Sequence, residues 1–151
     1  PELEISENSR VIAALHPEGA WRWQDYTFSI PQAVETQDWD GRSVKALLKI
    51  AHPNPWRKEP DLLGSIWAED DLGNRYDSMD TVNELLSGDG CPAWRGDCHG
   101  STAARFLFAT YCEIEVRKVD PAAAKLTLHL DRYGEDVLWL TIPLEGGGEN
   151  G

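Results

Sequence analysis

A chain of 151 residues, 41% of them apolar, is long enough for one domain with its own core and too apolar to be a disordered tail. Its 26 acids against 14 bases give a formal charge of −12, which repels phosphate backbones and anionic lipid surfaces, so neither nucleic acid nor a membrane surface is an expected partner. No apolar run approaches the roughly 20 residues of a membrane span, so this segment is not expected to insert.

Residues 1–10 read as an arm. The chain starts at Pro1, which implies either that a leader was removed or that this is a piece of something longer. From there the dominant signal is alternation with a period of two, the mark of half-buried strands. Val11 to Leu15 is a short first candidate. Tyr26, Phe28 and Ile30 share one face of the next run, and Val44, Ala46, Leu48 and Ile50 share one face of another. The Pro- and Gly-rich stretches "DWDGR" and "HPNPWRKEP" read as loops. Ile66 and Ala68 mark a further strand, and "DLGNR" (Asp71 to Arg75) should close a hairpin. Thr81 and Glu84 have capping-box spacing before Leu85 and Leu86, so one short helix is expected near 81–87.

Later in the chain, Phe106, Phe108, Cys112, Ile114 and Val116 fall on one side of a long strand. Leu126, Leu128 and Leu130 alternate with Thr127, His129 and Asp131. "DRYGED" (Asp131 to Asp136) should close a hairpin into "DVLWLTIPL", which is apolar on both faces and reads as a central strand. Residues 145–151, rich in Gly, read as a flexible tail. The expectation is all-β: residues 1–144 as a single antiparallel β-sandwich of about seven or eight strands.

"AEDDLGNRYDS", followed by "VDPAAAKLTLHLDRYGEDVLWLTIPL", resembles the closing half of bacterial immunoglobulin-like or telokin-like sandwich domains. The resemblance implies an immunoglobulin-like sandwich outside the cytoplasm. It carries over no functional residue.

Cys91 and Cys98 are separated by six residues in a Gly/Pro/Asp-rich loop, which suits a disulfide; in the chain-entropy picture it would stabilise by roughly 2–3 kcal/mol. Such a bond implies an oxidising, extracytoplasmic compartment. Cys112 reads as a buried thiol on a core face. A zinc alternative drawing on Cys91, Cys98, His99 and Cys112 lacks the usual two-Cys knuckle.

Arg95-Gly96-Asp97 sits between the two loop cysteines beside Trp94. It is either an adhesion-type tripeptide or a polar turn built on Gly96. Trp39, Trp56 and Trp94 fall in loops, where indole rings anchor protein contacts or stack on sugars. Glu69, Asp70, Asp71 and Asn74 offer oxygens that Ca²⁺ would accept, although not at EF-hand spacing. No catalytic motif is present and the four histidines are scattered, so no catalytic residue and no required cofactor are expected. These residues point to a non-catalytic protein-interaction or structural module of a larger secreted or membrane-anchored protein, with Trp39, Trp56, Trp94, Arg95 and Asp97 as its contact surface. The alternative is a carbohydrate-binding module, with or without Ca²⁺.

Overall fold

The computed structural model describes residues 3, 9–15, 17, 19–38, 41–53, 66–77, 96–132 and 135–144, with residues 38, 131, 132 and 135–139 described by backbone only. Among these residues the chain is entirely β, arranged as an antiparallel β-sandwich, and no described helix is long and apolar enough to cross a membrane. The helix expected near 81–87 lies outside the described residues.

The described residues form ten strands where about seven or eight were expected of the chain: β1 (Arg10–Leu15), β2 (Trp21–Trp23), β3 (Tyr26–Asp38), β4 (Gly41–Ala51), β5 (Ile66–Asp70), β6 (Arg75–Tyr76), β7 (Asp97–Arg105), β8 (Ala109–Val119), β9 (Lys125–Arg132) and β10 (Glu135–Pro143). The surplus comes mostly from short pieces. β3 is 13 residues long and is flanked on one side by two partners in succession, β2 against its first half and β1 against its second. Pro31 falls at the bulge between Ser29 and Gln32, in the gap between those two pairings. No neighbour requires an amide there, which is why a proline is tolerated inside so long a strand.

One six-stranded sheet runs in the order β1-β3-β4-β8-β7, with β2 also on β3; a four-stranded sheet runs β10-β9-β5-β6. Period-two alternation places one core between them. Tyr26, Phe28, Ile30, Val44, Ala46, Leu48, Ile50, Cys112, Ile114 and Val116 from the large sheet join Ile66, Ala68, Tyr76, Leu126, Leu128, Leu130 and Ile142 from the small one. Each fully buried Leu or Ile of that set contributes about 1.5–3 kcal/mol. Two expectations need correcting. Among the described residues β10 is an edge strand, with β9 as its one ladder partner. Phe106 and Phe108 are not core residues: they are 56% and 55% exposed in the turn between β7 and β8, where the alternation that places Cys112, Ile114 and Val116 inside no longer applies.

Register gives the sandwich two distinct ends. At one end the β3–β4 turn (Asp38 opposite Gly41), the start of β7 (Asp97 opposite Arg117) and the β8–β9 corner come together. This end is polar inside. Glu35, fully buried, pairs with the Arg42 guanidinium, and Arg42 Nη1 donates to the carbonyl of Asp120 at 2.8 Å. Tyr76 donates its hydroxyl to Asp70 Oδ2 at 2.8 Å and accepts the Asp120 amide at 2.9 Å. Asn74 Nδ2 bridges Asp70 and Asp120 at 2.8 and 3.0 Å. The network joins the turn closed by Gly73, in the left-handed region at φ 92°, to the corner that carries the chain from the large sheet into the small one.

Truncating Glu35 leaves a buried guanidinium without its counter-charge, a loss of about 3–5 kcal/mol. Glu35→Ala should lower the urea unfolding midpoint far more than Glu113→Ala, whose partner Lys45 is only 3.6 Å away on the solvent face. Equal effects of the two substitutions would contradict a structural role for the buried pair.

Candidate functional site

The four carboxylate and amide side chains proposed for Ca²⁺ are turned to protein donors instead of to a common point. Asp70 Oδ1 accepts the amides of Leu72 and Asn74 at 2.9 Å each, and its Oδ2 takes Asn74 Nδ2 and Tyr76. Asp71 Oδ1 accepts the amides of Ala124 and Lys125 at 2.8 and 3.4 Å. Slight burial works against the Asp71 charge, but those amides, its own amide and the Lys125 ammonium outweigh it and hold the carboxyl below the usual range. Glu69 reaches the other way, to His129 Nε2 at 2.8 Å. Among the described residues no three His, Cys, Asp or Glu side chains are grouped to hold a metal. The oxygen set of Glu69, Asp70, Asp71 and Asn74 is a hairpin-stapling network and does not fit a calcium ion.

Cys98 carries a free, buried thiol, so the disulfide expected with Cys91 is not formed. The physical reason is placement: Cys98 is the second residue of β7, its side chain faces the core opposite Val116, and its amide is held by the carbonyl of Asp77 at 2.8 Å. It belongs to a strand, not to the loop in which the bond was expected. Burial, followed by the nearby charges of Asp77 and Asp97, pushes the Cys98 thiol well above its ordinary value. Cys91 itself lies outside the described residues. Cys112 is buried on the core face, as its spacing implied.

Trp39, Trp56, Trp94 and Arg95 lie outside the described residues. Asp97 does not. It opens β7 with its side chain 7% exposed, Oδ2 3.6 Å from His99 Nδ1 and Oδ1 3.8 Å from Arg117 Nε. Gly96 before it is packed so tightly that an added Cβ would strike the Arg117 carbonyl and the Tyr76 ring. The Gly-Asp half of the tripeptide is therefore built into the sandwich and is not displayed as an adhesion loop would display it.

His99 lies on the outer face of β7 between two carboxylates, with Nε2 3.4 Å from Glu115 Oε1. Contact with Asp97 raises its pKa; partial burial opposes this, the charges of Glu115 and Asp97 add to it, and Arg117 subtracts. On the small sheet the Trp67 ring has two close partners. His129 stacks on it with centroids 4.2 Å apart, and the Arg75 guanidinium lies 3.8 Å from the ring centroid.

Among the described residues, three consecutive large apolar side chains are exposed in the turn between β7 and β8. Phe106, Leu107 and Phe108 are consecutive and 56%, 69% and 55% exposed. The turn is fixed: the Phe106 amide donates to the Ala109 carbonyl at 2.8 Å, and the His52 amide donates to the Phe108 carbonyl at 3.0 Å. Phe106 also meets the Tyr111 ring edge-on at 5.7 Å. Lys49, Ala109 and Tyr111 line a shallow apolar depression with the three tip residues. Sequence periodicity hid this tip by reading the two phenylalanines into a continuous strand. The signal available was that "FLF" lacks the polar residue that alternation requires between its two aromatics.

No protein-family model matches the chain, and no curated protein or solved structure matches it significantly.

Two outcomes follow. Because the fold raises the His99 pKa, its contribution is fully present below the unfolded value of about 6.5 and is lost as pH rises through the folded value. The urea midpoint of the wild type should exceed that of His99→Gln at about pH 5.5, and the difference should shrink by about pH 8.5. Cys98 should resist iodoacetamide in the native state and react in denaturant without reductant, read by peptide mass; failure to react until reductant is added would restore the disulfide.

Proposed function

We propose that the chain is a non-catalytic protein-interaction module, contacting its partner through the Phe106-Leu107-Phe108 tip. The observation that carries this reading is the exposure of three adjacent large apolar side chains on a turn held by two backbone hydrogen bonds. Large apolar side chains clustered in water are uncommon on a monomeric surface and mark contact sites. A fixed turn loses little entropy on docking, and aromatic residues dominate the energetics of protein contacts. A charge of −12 argues against an anionic bilayer as the partner, and so favours a protein. In this reading the module belongs to a larger secreted or membrane-anchored protein. That assignment stands on the resemblance of its C-terminal half to immunoglobulin-like domains and no longer on a disulfide.

The test is site-specific photocrosslinking in the cells that make the protein. A benzophenone side chain at position 107 should give a discrete protein adduct, whereas the same group at Leu72, which is 51% exposed in the β5–β6 turn, should not. The adduct should disappear when Phe106 is also changed to Asp. Equal, diffuse labelling from both positions would contradict the proposal, as would saturable binding on a glycan array that Leu107→Asp leaves intact.

A further inference from the structure

The outward face of β4 carries two lysines, and register treats them differently. Lys45 lies opposite Glu115 on β8 and Val34 on β3, and its ammonium is 3.6 Å from Glu113 Oε1. Lys49, further along the same face, lies opposite Tyr111 on β8 and Ser29 on β3. Neither of these is acidic. The carboxylate diagonal to Lys49 on β8 is Glu113, which Lys45 already engages. Among the described residues the Lys49 ammonium therefore has no ion pair and no hydrogen-bond acceptor. It lines the apolar depression beside the Phe106-Leu107-Phe108 tip, a space of about 540 Å³, where it is the one lining residue with a formal charge among those described. Such a space has room for a bulky side chain and part of the segment that bears it.

We infer that the partner segment held at the tip carries a carboxylate beside a large apolar side chain: the apolar group fills the depression and the carboxylate pairs with Lys49. The inference rests on the reading of the tip as a protein contact, and each half of it follows from the lining. Phe106, Leu107, Phe108, Ala109 and Tyr111 offer mostly carbon, so a group held there gains chiefly by leaving water. A segment that seals the depression also takes water from the ammonium. Burying a charge without a partner is costly, whereas a carboxylate from the incoming segment replaces the lost hydration with a charge-assisted bond. A lysine suits the position, because its methylenes lie along apolar surface while the charged head stays at the margin. Tyr111, the cross-strand neighbour of Lys49, brings a hydroxyl to the same lining as a second donor for a carboxylate. The chain's charge of −12 repels an acidic partner at long range. At physiological ionic strength that field decays over about 8 Å, so the local cation decides the contact. The long-range repulsion has its own consequence: acid without an apolar neighbour gains too little to bind. Lys49 thus selects among apolar segments, favouring an acid beside the apolar residue and rejecting a base there.

Selection of a random-peptide display library on the immobilised full chain tests this. Peptides enriched on the wild type should carry Asp or Glu beside a large apolar residue. A synthetic copy of an enriched peptide should bind Lys49→Met at least about tenfold more weakly than the wild type, and should bind Lys49→Arg nearly as well. Selection on Lys49→Glu should replace the acids by Lys or Arg beside the same kind of apolar residue. Leu72→Asp, in the β5–β6 turn, should leave binding unchanged. Changing the peptide's acid to its amide should weaken binding to the wild type by the same factor, which keeps the test decisive if a Lys49 variant fails to fold by circular dichroism. Peptides that lose binding in Leu107→Asp, yet show no preference for acids and bind Lys49→Met as well as the wild type, overturn this inference and leave the tip as a protein contact. A library that yields no peptide sensitive to Leu107→Asp overturns both readings. So does co-sedimentation with phosphatidylserine vesicles that Leu107→Asp abolishes, which would show the tip meeting a bilayer.

Discussion

The Tyr76 hydroxyl is the point on which the closed end of the sandwich depends. It donates to Asp70 in the β5–β6 hairpin and accepts the Asp120 amide at the corner between the sheets. One buried oxygen thus fixes the small sheet's turn against the large sheet's exit. Burial, with the carboxylates of Asp70 and Asp120 nearby, pushes the Tyr76 pKa far above its ordinary value, so the hydroxyl stays a neutral donor at any physiological pH. Gly96 lies flat on the same ring, and from it β7 begins. A side chain at position 96 would lift the start of β7, with consequences for Asp97, for the buried Cys98 and for the alignment of the strand beyond them.

That constraint divides the molecule into two functionally different ends. At the Asp120 end, Glu35, Arg42, Asp70, Asn74, Tyr76 and Asp120 are linked in one network, and the acids that look available in the sequence are engaged in it. At the other end, Thr27 pairs with Ala51 and Ala51 with Ala109, and the chain closes on Phe106, Leu107 and Phe108, which have solvent where a polar network would otherwise be. A hairpin anchored at its base by a polar clamp and ending in an apolar tip is a rigid presenter. The β7–β8 hairpin carries the tip on two long, paired strands, so a contact there would draw on one preorganised element.

Much of the fold was legible because alternation is a physical signature of a strand with one buried face. Tyr26, Phe28, Ile30, Val44, Ala46, Leu48, Ile50, Leu126, Leu128 and Leu130 all reach the core as their spacing implied, and "DLGNR" and "DRYGED" close the expected hairpins. What escaped was tertiary. His129 alternates outward yet is 1% exposed, because Trp67 stacks over it. β10 reads as a central strand because it is apolar on both faces, although its place is at an edge. The candidate site was less legible. Carboxylate composition is the same for a calcium loop and for a stapled hairpin; only the Ala124 and Lys125 amides, more than 50 residues from Asp71, tell the two apart. Cys98 was read as a loop residue since nothing local reveals that β7 begins at Asp97.

A contact through the β7–β8 turn requires its apolar tip to be open to water in the folded chain. Solvent paramagnetic relaxation of methyl groups in the full chain measures this directly. The Leu107 methyls should relax strongly with a soluble gadolinium probe, while those of Leu126, Leu128 and Leu130, all fully buried, should be nearly unaffected. If Leu107 proves as shielded as those core leucines, the tip is a plug closing the end of the sandwich, and the account of this hairpin as the contact surface is wrong.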